Sequence, residues 1–240
     1  MEIYVTSDTH FFGEDYLRRM NLINPNNEDN IFHRMSDNEK IQNWNEIVDD
    51  EDHVFVIGDF VQTYDHYYWN IYRDIDNRLN GKKTFIVGNH EYNAILRREG
   101  GVPENEVMSN INGNMLIHYP IIINDILLLS HMPYHVLNTE YINLYGHLQK
   151  DQGFFHNDYN HLTPFYYNCC FDINGYKPIL LKDILKEIIN NTDETEYRND
   201  PRIKNFENII LDFKNIRITF TKNIRININR MVSFDVIRKY

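Results

Sequence analysis

The chain has 240 residues, 42% of them hydrophobic, and a formal net charge of −11 at pH 7. This length and composition predict a globular protein, the adjacent Cys169 and Cys170 imply no disulfide framework, and the acidic charge disfavours nonspecific attraction to large polyanions. Met1 leads directly into a strand pattern and no stretch approaches the roughly 18 uninterrupted apolar residues of a membrane span, so we expect a cytoplasmic protein with no membrane partner.

The first helix is predicted at about residues 37 to 48. Ser36 with Glu39 three residues later forms a capping-box pattern, in which each side chain satisfies a backbone N–H of the other residue. The apolar residues that follow share one helical face: Ile41, Trp44 and Val48. The same spacing predicts a second helix, which ends at Asn80-Gly81 and carries Tyr68, Ile71, Ile75 and Leu79.

Strands dominate after Gly113. We expect one strand at about residues 115 to 122 and another at about 166 to 173, followed by a turn at residues 175 to 178. A further helix is predicted from the spacing of Leu181, Ile184, Leu185 and Ile188. Alternating strands and helices in the N-terminal half, with strands beyond it, predict an α/β fold.

The C-terminal part differs from the rest in charge. Residues 201 to 240 carry nine Lys or Arg against three Asp or Glu, a net charge of +6, whereas the remainder carries −17. Two half-buried strands are predicted where apolar and polar residues alternate, at Ile216, Ile218 and Phe220 and at Ile224, Ile226 and Ile228. We therefore divide the chain into a core, residues 1 to 182, and a β-rich extension packed on it, residues 183 to 240. The basic side chains are expected on a solvated face, with a nucleic-acid or partner surface as the alternative.

Five apolar, strand-like segments each end on residues of metal-ligand type. The segments end at Asp8-Thr9-His10, Gly58-Asp59, Gly88-Asn89-His90, Ser130-His131 and Gly146-His147-Leu148-Gln149. Strands that deliver such groups at their C-terminal ends bring them to one edge of a sheet, where open α/β folds have their active sites. The sequence therefore predicts one shared site.

These residue types suit a centre for two divalent cations. Asp8 and His10 can reach one ion, and the Asp59 carboxylate can bridge it to a second ion. The second ion can be held by Asp59, Asn89, His131 and His147. Mixed nitrogen and oxygen ligation favours Mn, Fe, Zn or Co over Ca or Mg. Two ions about 3.5 to 4 Å apart would lower the pKa of a bridging water and clamp a phosphoryl group, which is the chemistry of phosphoester hydrolysis.

The motif set resembles that of the calcineurin-like metallophosphoesterase superfamily, particularly its small phage and bacterial members. The motifs follow in the family's order over about residues 1 to 182: Asp8-Thr9-His10, Gly58-Asp59, Gly88-Asn89-His90-Glu91, Ser130-His131-Met132-Pro133 and Gly146-His147. The resemblance implies a four-layer β-sandwich flanked by helices, with the C-terminal β extension beside it. It also implies that Asp8, His10 and Asp59 hold one metal and that Asp59, Asn89, His131 and His147 hold the other. His90 would then be catalytic, stabilising developing charge or protonating the leaving oxygen, with Glu91 as a supporting residue that does not touch the metal.

The sequence departs from the family pattern at two positions. The family's final motif is usually Gly-His-x-His, but Gln149 stands where the second His would complete the first metal site. An amide oxygen is a poorer donor than imidazole for these metals, so the first site should bind more weakly, unless His156 or His161 substitutes. Phage-type members often carry a pocket His where this chain has Gly13. His135 is near enough to His131 in sequence to line the pocket.

The leading hypothesis is a phosphoesterase with two divalent transition metals, Mn, Fe or Zn, that hydrolyses a phosphodiester or phosphomonoester of a nucleotide or small molecule. The protein Ser/Thr phosphatase pattern Gly-Asp-x-x-Asp-Arg-Gly is absent, since the chain continues from Gly58 as Gly-Asp-Phe-Val-Gln-Thr-Tyr. Two alternatives stay open. In one, Gln149 disables the first site and the protein binds a phosphorylated ligand or partner without hydrolysing it. In the other, the basic tail makes the protein a nuclease, although nucleic acid is not the favoured partner.

Overall fold

The computed structural model describes residues 1–13, 35–63, 67–96, 108–124, 126–133, 141–149, 166–193, 217–220 and 233–234. Within them the strands are β1 (Ile3–Thr6), β2 (His53–Ile57), β3 (Lys82–Ile86), β4 (Met108–Ile111), β5 (Asn114–Ile117), β6 (Ile121–Ile123), β7 (Leu127–Ser130), β8 (Ile142–Tyr145), β9 (Tyr166–Asn168), β10 (Ile179–Leu180), β11 (Arg217–Phe220) and β12 (Ser233–Phe234). The helices are α1 (Asp37–Asn45), α2 (Tyr68–Arg78), α3 (Asn89–Leu96) and α4 (Leu181–Asp193).

The described strands form two six-stranded sheets. The first has the order β10-β1-β2-β3-β5-β4, and its central strands β1, β2, β3 and β5 run parallel. The second has the order β12-β11-β6-β7-β8-β9, and its strands β7, β8 and β9 run parallel. Parallel neighbours end on the same side, so β1, β2 and β3 deliver their C-terminal residues to one edge, as β7 and β8 do in the other sheet.

Two apolar clusters hold the layers together. One lies between the sheets, where Phe55 and Ile57 of β2 meet Ile121 and Leu129, and α4 contributes Leu185 to it. The other covers the opposite face of the first sheet with helices α1 and α2 through a set of large side chains: Val54, Val56, Phe85, Trp44, Trp69 and Tyr72. Strand β2 is therefore buried on both faces, which explains its uninterrupted apolar run.

The predicted fold class, an α/β β-sandwich flanked by helices, is confirmed. Helix α1 begins after Ser36, whose reciprocal hydrogen bonds with Glu39 form the predicted capping box. Helices α2 and α4 lie where their apolar spacing predicts them. Within the described residues, no helix combines the length and the apolar character needed to cross a bilayer.

One strand prediction is wrong. The strand expected at residues 115 to 122 is two strands, β5 and β6, which belong to different sheets. Residues 118 to 120, which include Pro120, carry the chain from one sheet to the other. Because residues on both sides of this crossing are buried between the sheets, the apolar pattern continues through it and hides the break.

The strand expected at residues 166 to 173 is shorter, because β9 ends at Asn168 and residues 171 to 176 form a turn. Of the predicted C-terminal extension, β11 is present and pairs antiparallel with β6. The strand predicted at Ile224, Ile226 and Ile228 lies outside the described residues, as does most of the basic tail. The domain boundary after residue 182 stays a prediction.

Candidate metal centre

Polar side chains follow the five predicted strand ends, and backbone hydrogen bonds link neighbouring strand ends within each sheet. The N–H of Asp8 donates to the carbonyl of Gly58 at 3.0 Å, and the N–H of His10 donates to that of Asp59 at 3.1 Å. The N–H of Gly146 donates to the carbonyl of His131 at 3.0 Å. Since both sheets end here, their polar residues form one site.

The two sheets are connected at this edge by residues that follow β1 and β9. Ser7 pairs with Cys170 in an isolated parallel bridge, and the N–H of Ser7 donates to the Cys169 carbonyl at 2.9 Å. The N–H of His147 donates to Asp8 Oδ2 at 2.7 Å. These hydrogen bonds fix the position of the first-sheet ligands relative to the second sheet.

Several of the candidate ligands have a left-handed backbone. The φ angles are 54° at Asp8, 45° at His10, 52° at Asp59 and 70° at His147. Residues with a Cβ atom rarely adopt this region, and such conformations persist where the surrounding structure enforces them. The backbone therefore turns each side chain inward at the point where its strand ends.

Asp59 lies at the centre of the site and is 2% exposed. Its Oδ2 is 3.4 Å from Nε2 of His131 and 3.8 Å from Nε2 of both His10 and His90. Its Oδ1 accepts a hydrogen bond from the backbone N–H of His90 at 2.9 Å. One oxygen of Asp59 therefore faces residues from both predicted ligand sets.

The second predicted site is formed by Asn89, His131 and His147 together with Asp59. His131 Nε2 is 2.9 Å from Asn89 Oδ1 and 3.2 Å from His147 Nδ1. The other ring nitrogen of His131 lies 3.0 Å from the Ile57 carbonyl oxygen. A carbonyl oxygen can only accept a hydrogen bond, so Nδ1 of His131 must carry the proton that it donates. Nε2 is therefore the nitrogen that is directed at a metal.

The first predicted site brings together Asp8, His10 and Gln149. Nε2 of His10 is 3.5 Å from Asp8 Oδ1, and Nδ1 of His10 lies 3.0 Å from Oε1 of Gln62. Gln149 is 8% exposed, and its Nε2 lies 2.6 Å from His10 Nε2 and 3.2 Å from Asp8 Oδ1. Gln149, which replaces the histidine of the family motif, therefore lies where a metal ligand is expected. Its amide nitrogen, rather than its oxygen, faces Asp8 and His10.

The donor atoms are grouped closely enough to converge on a metal ion. Atoms that bind one ion at about 2.1 Å lie about 3.0 to 3.5 Å apart in octahedral or tetrahedral geometry. Two sets among the described residues have ligand atoms within 4.8 Å of one another: His10, Asp59 and His90, and Asp59, His131 and His147. Both sets mix imidazole nitrogen with carboxylate oxygen and share Asp59, so the residues fit divalent transition metals.

Opposing effects set the charges of the buried groups. Burial alone would raise the pKa of Asp8 and Asp59, but His131 and His10, with the hydrogen bonds to these carboxylates, together outweigh burial and hold both pKa values below their usual range. Burial alone would lower the pKa of His131, but Asp8 and Asp59 raise it to about 10. The proton on His131 thus balances negative charge that a cation would otherwise balance, and metal binding releases it. Burial lowers the pKa of His90 to about 4 and also lowers that of His147.

Glu91 is fully buried beside the centre and supports the backbone that carries Asp59. Its Oε2 accepts from the N–H groups of Asp59 and Gly88, each at 2.9 Å, and its Oε1 accepts from the N–H of Phe60 at 2.9 Å. Tyr68 also donates to Oε1, at 3.1 Å. Burial is the main cause that raises the pKa of Glu91, and these N–H groups oppose it.

The family model described as calcineurin-like phosphoesterase matches residues 1–211. The chain belongs to this family. The family description names phosphoesterases, and the two ligand sets of this chain are of the kind that a metal-dependent member would use. The match runs beyond residue 182, where the sequence resemblance was expected to end.

Two similar proteins provide no activity to compare. The uncharacterized protein MJ1445 of Methanocaldococcus jannaschii is 32% identical over 90 residues, which are 38% of this chain and 47% of that protein. The matched segment therefore spans about half the length of this relative. The solved structure of a protein of unknown function, AQ665 from Aquifex aeolicus, is 22% identical, covers 77% of this chain and 98% of its own, and has a TM-score of 0.45.

All the predicted site residues are described and gather at this centre. The separate roles of the seven predicted metal ligands stay predictions, as do the catalytic role of His90 and the supporting role of Glu91. The distances between the ring nitrogens of His10 and His90 and the Asp59 carboxylate would also permit His90 to be a metal ligand. His135, His156 and His161 lie outside the described residues.

A buried lysine near the first site was missed by the sequence reasoning. Lys40 is 3% exposed, and its Nζ donates to the carbonyls of Thr9 and His10, each at 2.9 Å. Asp37, 3.6 Å from Nζ, accepts from the N–H of Phe12 at 2.9 Å. Helix α1 therefore clamps the left-handed turn that carries the first ligands. In the sequence Lys40 lies four residues before Trp44, which places both on the same face of helix α1. This spacing could have indicated that Lys40 is buried.

Cys170 and Ser7 were also missed. The Cys170 thiol donates to Asp8 Oδ2 at 3.4 Å, and the Ser7 hydroxyl lies against the same carboxylate oxygen. Burial is the main cause that raises the pKa of Cys170 well above its usual value, so the thiol remains protonated and acts as a donor. Two adjacent cysteines gave no signal for this contact.

Replacing Gly146 by Ala should disrupt the first site. A Cβ at this position would collide with Ser7 Oγ and Asp8 Oδ2 and would lie 2.7 Å from Ser7 Cβ. We expect Gly146→Ala to weaken metal binding about tenfold or more in calorimetric titrations, since Asp8 must move. Gly113→Ala is the matched control, because its Cβ would meet nothing within 4 Å and only the φ of +87° is strained. Wild-type metal affinity in Gly146→Ala would contradict this geometry.

Lys40→Met should weaken metal binding through the turn that it clamps. The change leaves two buried carbonyls without their donor, a cost of about 1 to 3 kcal/mol each, and frees the turn that carries His10. We expect about 10- to 100-fold weaker metal affinity by calorimetry, the range found for residues that support metal ligands.

Lys83→Met is the control for this prediction. Lys83 is also buried and donates to the carbonyls of Leu79 and Gly81 at 2.7 and 2.8 Å, at the end of β3 away from the site. Both variants should lower the unfolding temperature, but only Lys40→Met should change metal affinity. Equal metal affinity in the two variants would show that the clamp is merely structural.

Proposed function

We propose that the protein hydrolyses a phosphodiester or phosphomonoester of a nucleotide or small molecule at a two-metal centre that shares Asp59. The observation that supports this most directly is the position of Asp59 Oδ2, which faces His10 on one side and His131 on the other. Bound ions, with Mn the first candidate, would activate water and neutralise phosphoryl charge.

In this proposal, separate residues hold the two ions, contact the substrate and support the ligands. Asp8 and His10 would hold the first ion with Asp59, while Asn89, His131 and His147 would hold the second ion with it. His90 is 14% exposed in its side chain and its ring lies 5.1 Å from that of His10, which supports its contact with a substrate oxygen. There its N–H would donate a hydrogen bond to the leaving oxygen, since a pKa of about 4 leaves the ring neutral near pH 7 and disfavours transfer of a proton. Glu91 keeps Asp59 in place through backbone N–H groups.

The test is hydrolysis of p-nitrophenyl phosphate and bis(p-nitrophenyl) phosphate with added Mn²⁺. Asp59→Asn should lose both metal binding and turnover, because Oδ2 serves both ligand sets. His90→Asn should retain its metal content and lose about 10²- to 10³-fold in kcat, the usual cost of removing a group that stabilises developing charge.

His53→Gln is the matched histidine control. His53 lies at the opposite end of β2, next to Thr84, and its substitution should leave kcat unchanged. No turnover above the Asp59→Asn background, with either substrate, would exclude the proposed activity. Loss of metal from His90→Asn would instead identify His90 as a ligand.

A second candidate function is favoured by the amide nitrogen of Gln149, which faces the first ligands. If the first site never takes an ion, the protein is a one-metal module that binds a phosphorylated ligand without hydrolysing it. Metal analysis of the same preparations separates the two: two ions per chain with turnover support the hydrolase, and one ion with phosphate binding and no turnover supports the module.

A further inference from the structure

We propose that the side-chain amide of Gln149 is an internal competitor for the first metal ion, so that this ion binds second and only by displacing the amide. The inference deepens the proposed function and rests on the same two-metal centre. It starts from the contacts of Gln149 Nε2, which lies 2.6 Å from His10 Nε2 and 3.2 Å from Asp8 Oδ1. Both atoms are the ones that would bind the ion.

The contacts of His10 show which end of the amide must face it. Nδ1 of His10 lies 3.0 Å from Gln62 Oε1, an acceptor, so this nitrogen carries the ring proton. Nε2 then has a lone pair, which accepts from an N–H and repels a carbonyl oxygen. Gln149 therefore satisfies His10 only when it presents its nitrogen, and its second N–H is directed at the Asp8 carboxylate.

An amide nitrogen of this kind cannot bind a metal ion. Its lone pair is delocalised into the amide, so Gln149 must rotate or withdraw before a cation reaches Asp8 and His10. Rotation would direct Oε1 at two groups that are themselves acceptors. Because that arrangement is repulsive without a cation between them, the amide and the ion exclude each other.

The second site lacks such a competitor among the described residues. There the amide of Asn89 presents its oxygen, 2.9 Å from His131 Nε2, which is the orientation a ligand needs. The two amides thus face the two sites in opposite ways, nitrogen inward for Gln149 and oxygen inward for Asn89. At the second site His131 must give up a proton when an ion binds but no side chain has to leave, whereas at the first site the Gln149 amide must leave.

Burial of the three side chains strengthens this competition. Asp8, His10 and Gln149 are 4%, 5% and 8% exposed, so water does not readily replace the amide. Hydrogen bonds to a charged group in such surroundings are stronger than neutral ones. Gln149 lines the same pocket as Asp8 and His10, so it must shift within this pocket when an ion enters.

Calorimetric titration of the chelator-treated, full-length protein with Mn²⁺ tests the competition without measuring turnover. Wild type should bind one ion tightly and a second ion weakly. Gln149→Ala should tighten the weak step about tenfold, because the ion no longer displaces two hydrogen bonds. Gln149→His should tighten it further, because an imidazole replaces the competitor with a ligand. An unchanged or weaker second step in Gln149→Ala would overturn the inference.

Asn114→Ala is the control for loss of a hydrogen-bonded amide, here a half-buried one. Asn114 donates to both oxygens of Asp76, at 3.0 Å each, on strand β5 away from the site, so its removal should affect stability and leave both binding steps unchanged. An observed hydrolysis with no tightening in Gln149→Ala would refute this inference alone. Tightening without hydrolysis would support it while the proposed activity failed.

A second readout uses the amide protons themselves. In ¹⁵N-labelled protein, the side-chain NH₂ pair that disappears in Gln149→Ala belongs to Gln149. During titration with diamagnetic Zn²⁺ this pair should keep its slow solvent exchange through the first equivalent and lose it with the second. Rapid solvent exchange of the pair before any metal is added would contradict the hydrogen bonds on which the inference depends.

Discussion

The arrangement of the whole centre depends on how the Asp59 carboxylate is held. Glu91 accepts hydrogen bonds from the backbone N–H groups of Asp59, Phe60 and Gly88, and the N–H of His90 binds Asp59 Oδ1. Both carboxylates are buried, and a buried carboxylate is tolerable only when such donors or a nearby positive charge satisfy it. The loops after β2 and β3 therefore have one stable arrangement, in which Oδ2 of Asp59 faces the ligands from both sheets.

The two predicted metal sites differ in the contacts that their ligand atoms make in the absence of metal. In the second site, His131 Nε2 and Asn89 Oδ1 already face each other at 2.9 Å, as two ligands of one ion would. In the first site, Asp8 and His10 sit in left-handed backbone that Lys40 clamps from helix α1, and Gln149 has taken the hydrogen bonds that an ion would replace. The same fold thus supports a site whose ligand atoms already face each other beside one that binds metal only in competition with the protein's own amide.

Much of this could be predicted from the sequence because the motifs are local. Each ligand lies just after an apolar strand, and parallel strands bring such residues to one edge, so the grouping of Asp8 with Asp59 and of His131 with His147 followed from order. That these two groups meet could not be predicted in this way, because their strands belong to different sheets. The crossing between β5 and β6 could not be predicted, since an apolar run buried in both sheets shows no break. Contacts of Lys40, Gln62 and Cys170 depend on how helix α1 and the turn after β9 pack, which sequence spacing does not encode. The orientation of the Gln149 amide depends on the proton position of His10, a property of the folded site.

The most direct test of two unequal sites sharing Asp59 is anomalous diffraction from crystals soaked in Mn²⁺ at a low and at a saturating concentration. At the low concentration we expect a single peak at Asp59, Asn89, His131 and His147. At saturation a second peak should appear beside Asp8 and His10, about 3.5 to 4 Å from the first, with Asp59 bridging the two ions. Three results would contradict two unequal sites that share Asp59. These are a single peak at every concentration, a first peak beside Asp8 and His10, and two peaks of which only one contacts Asp59.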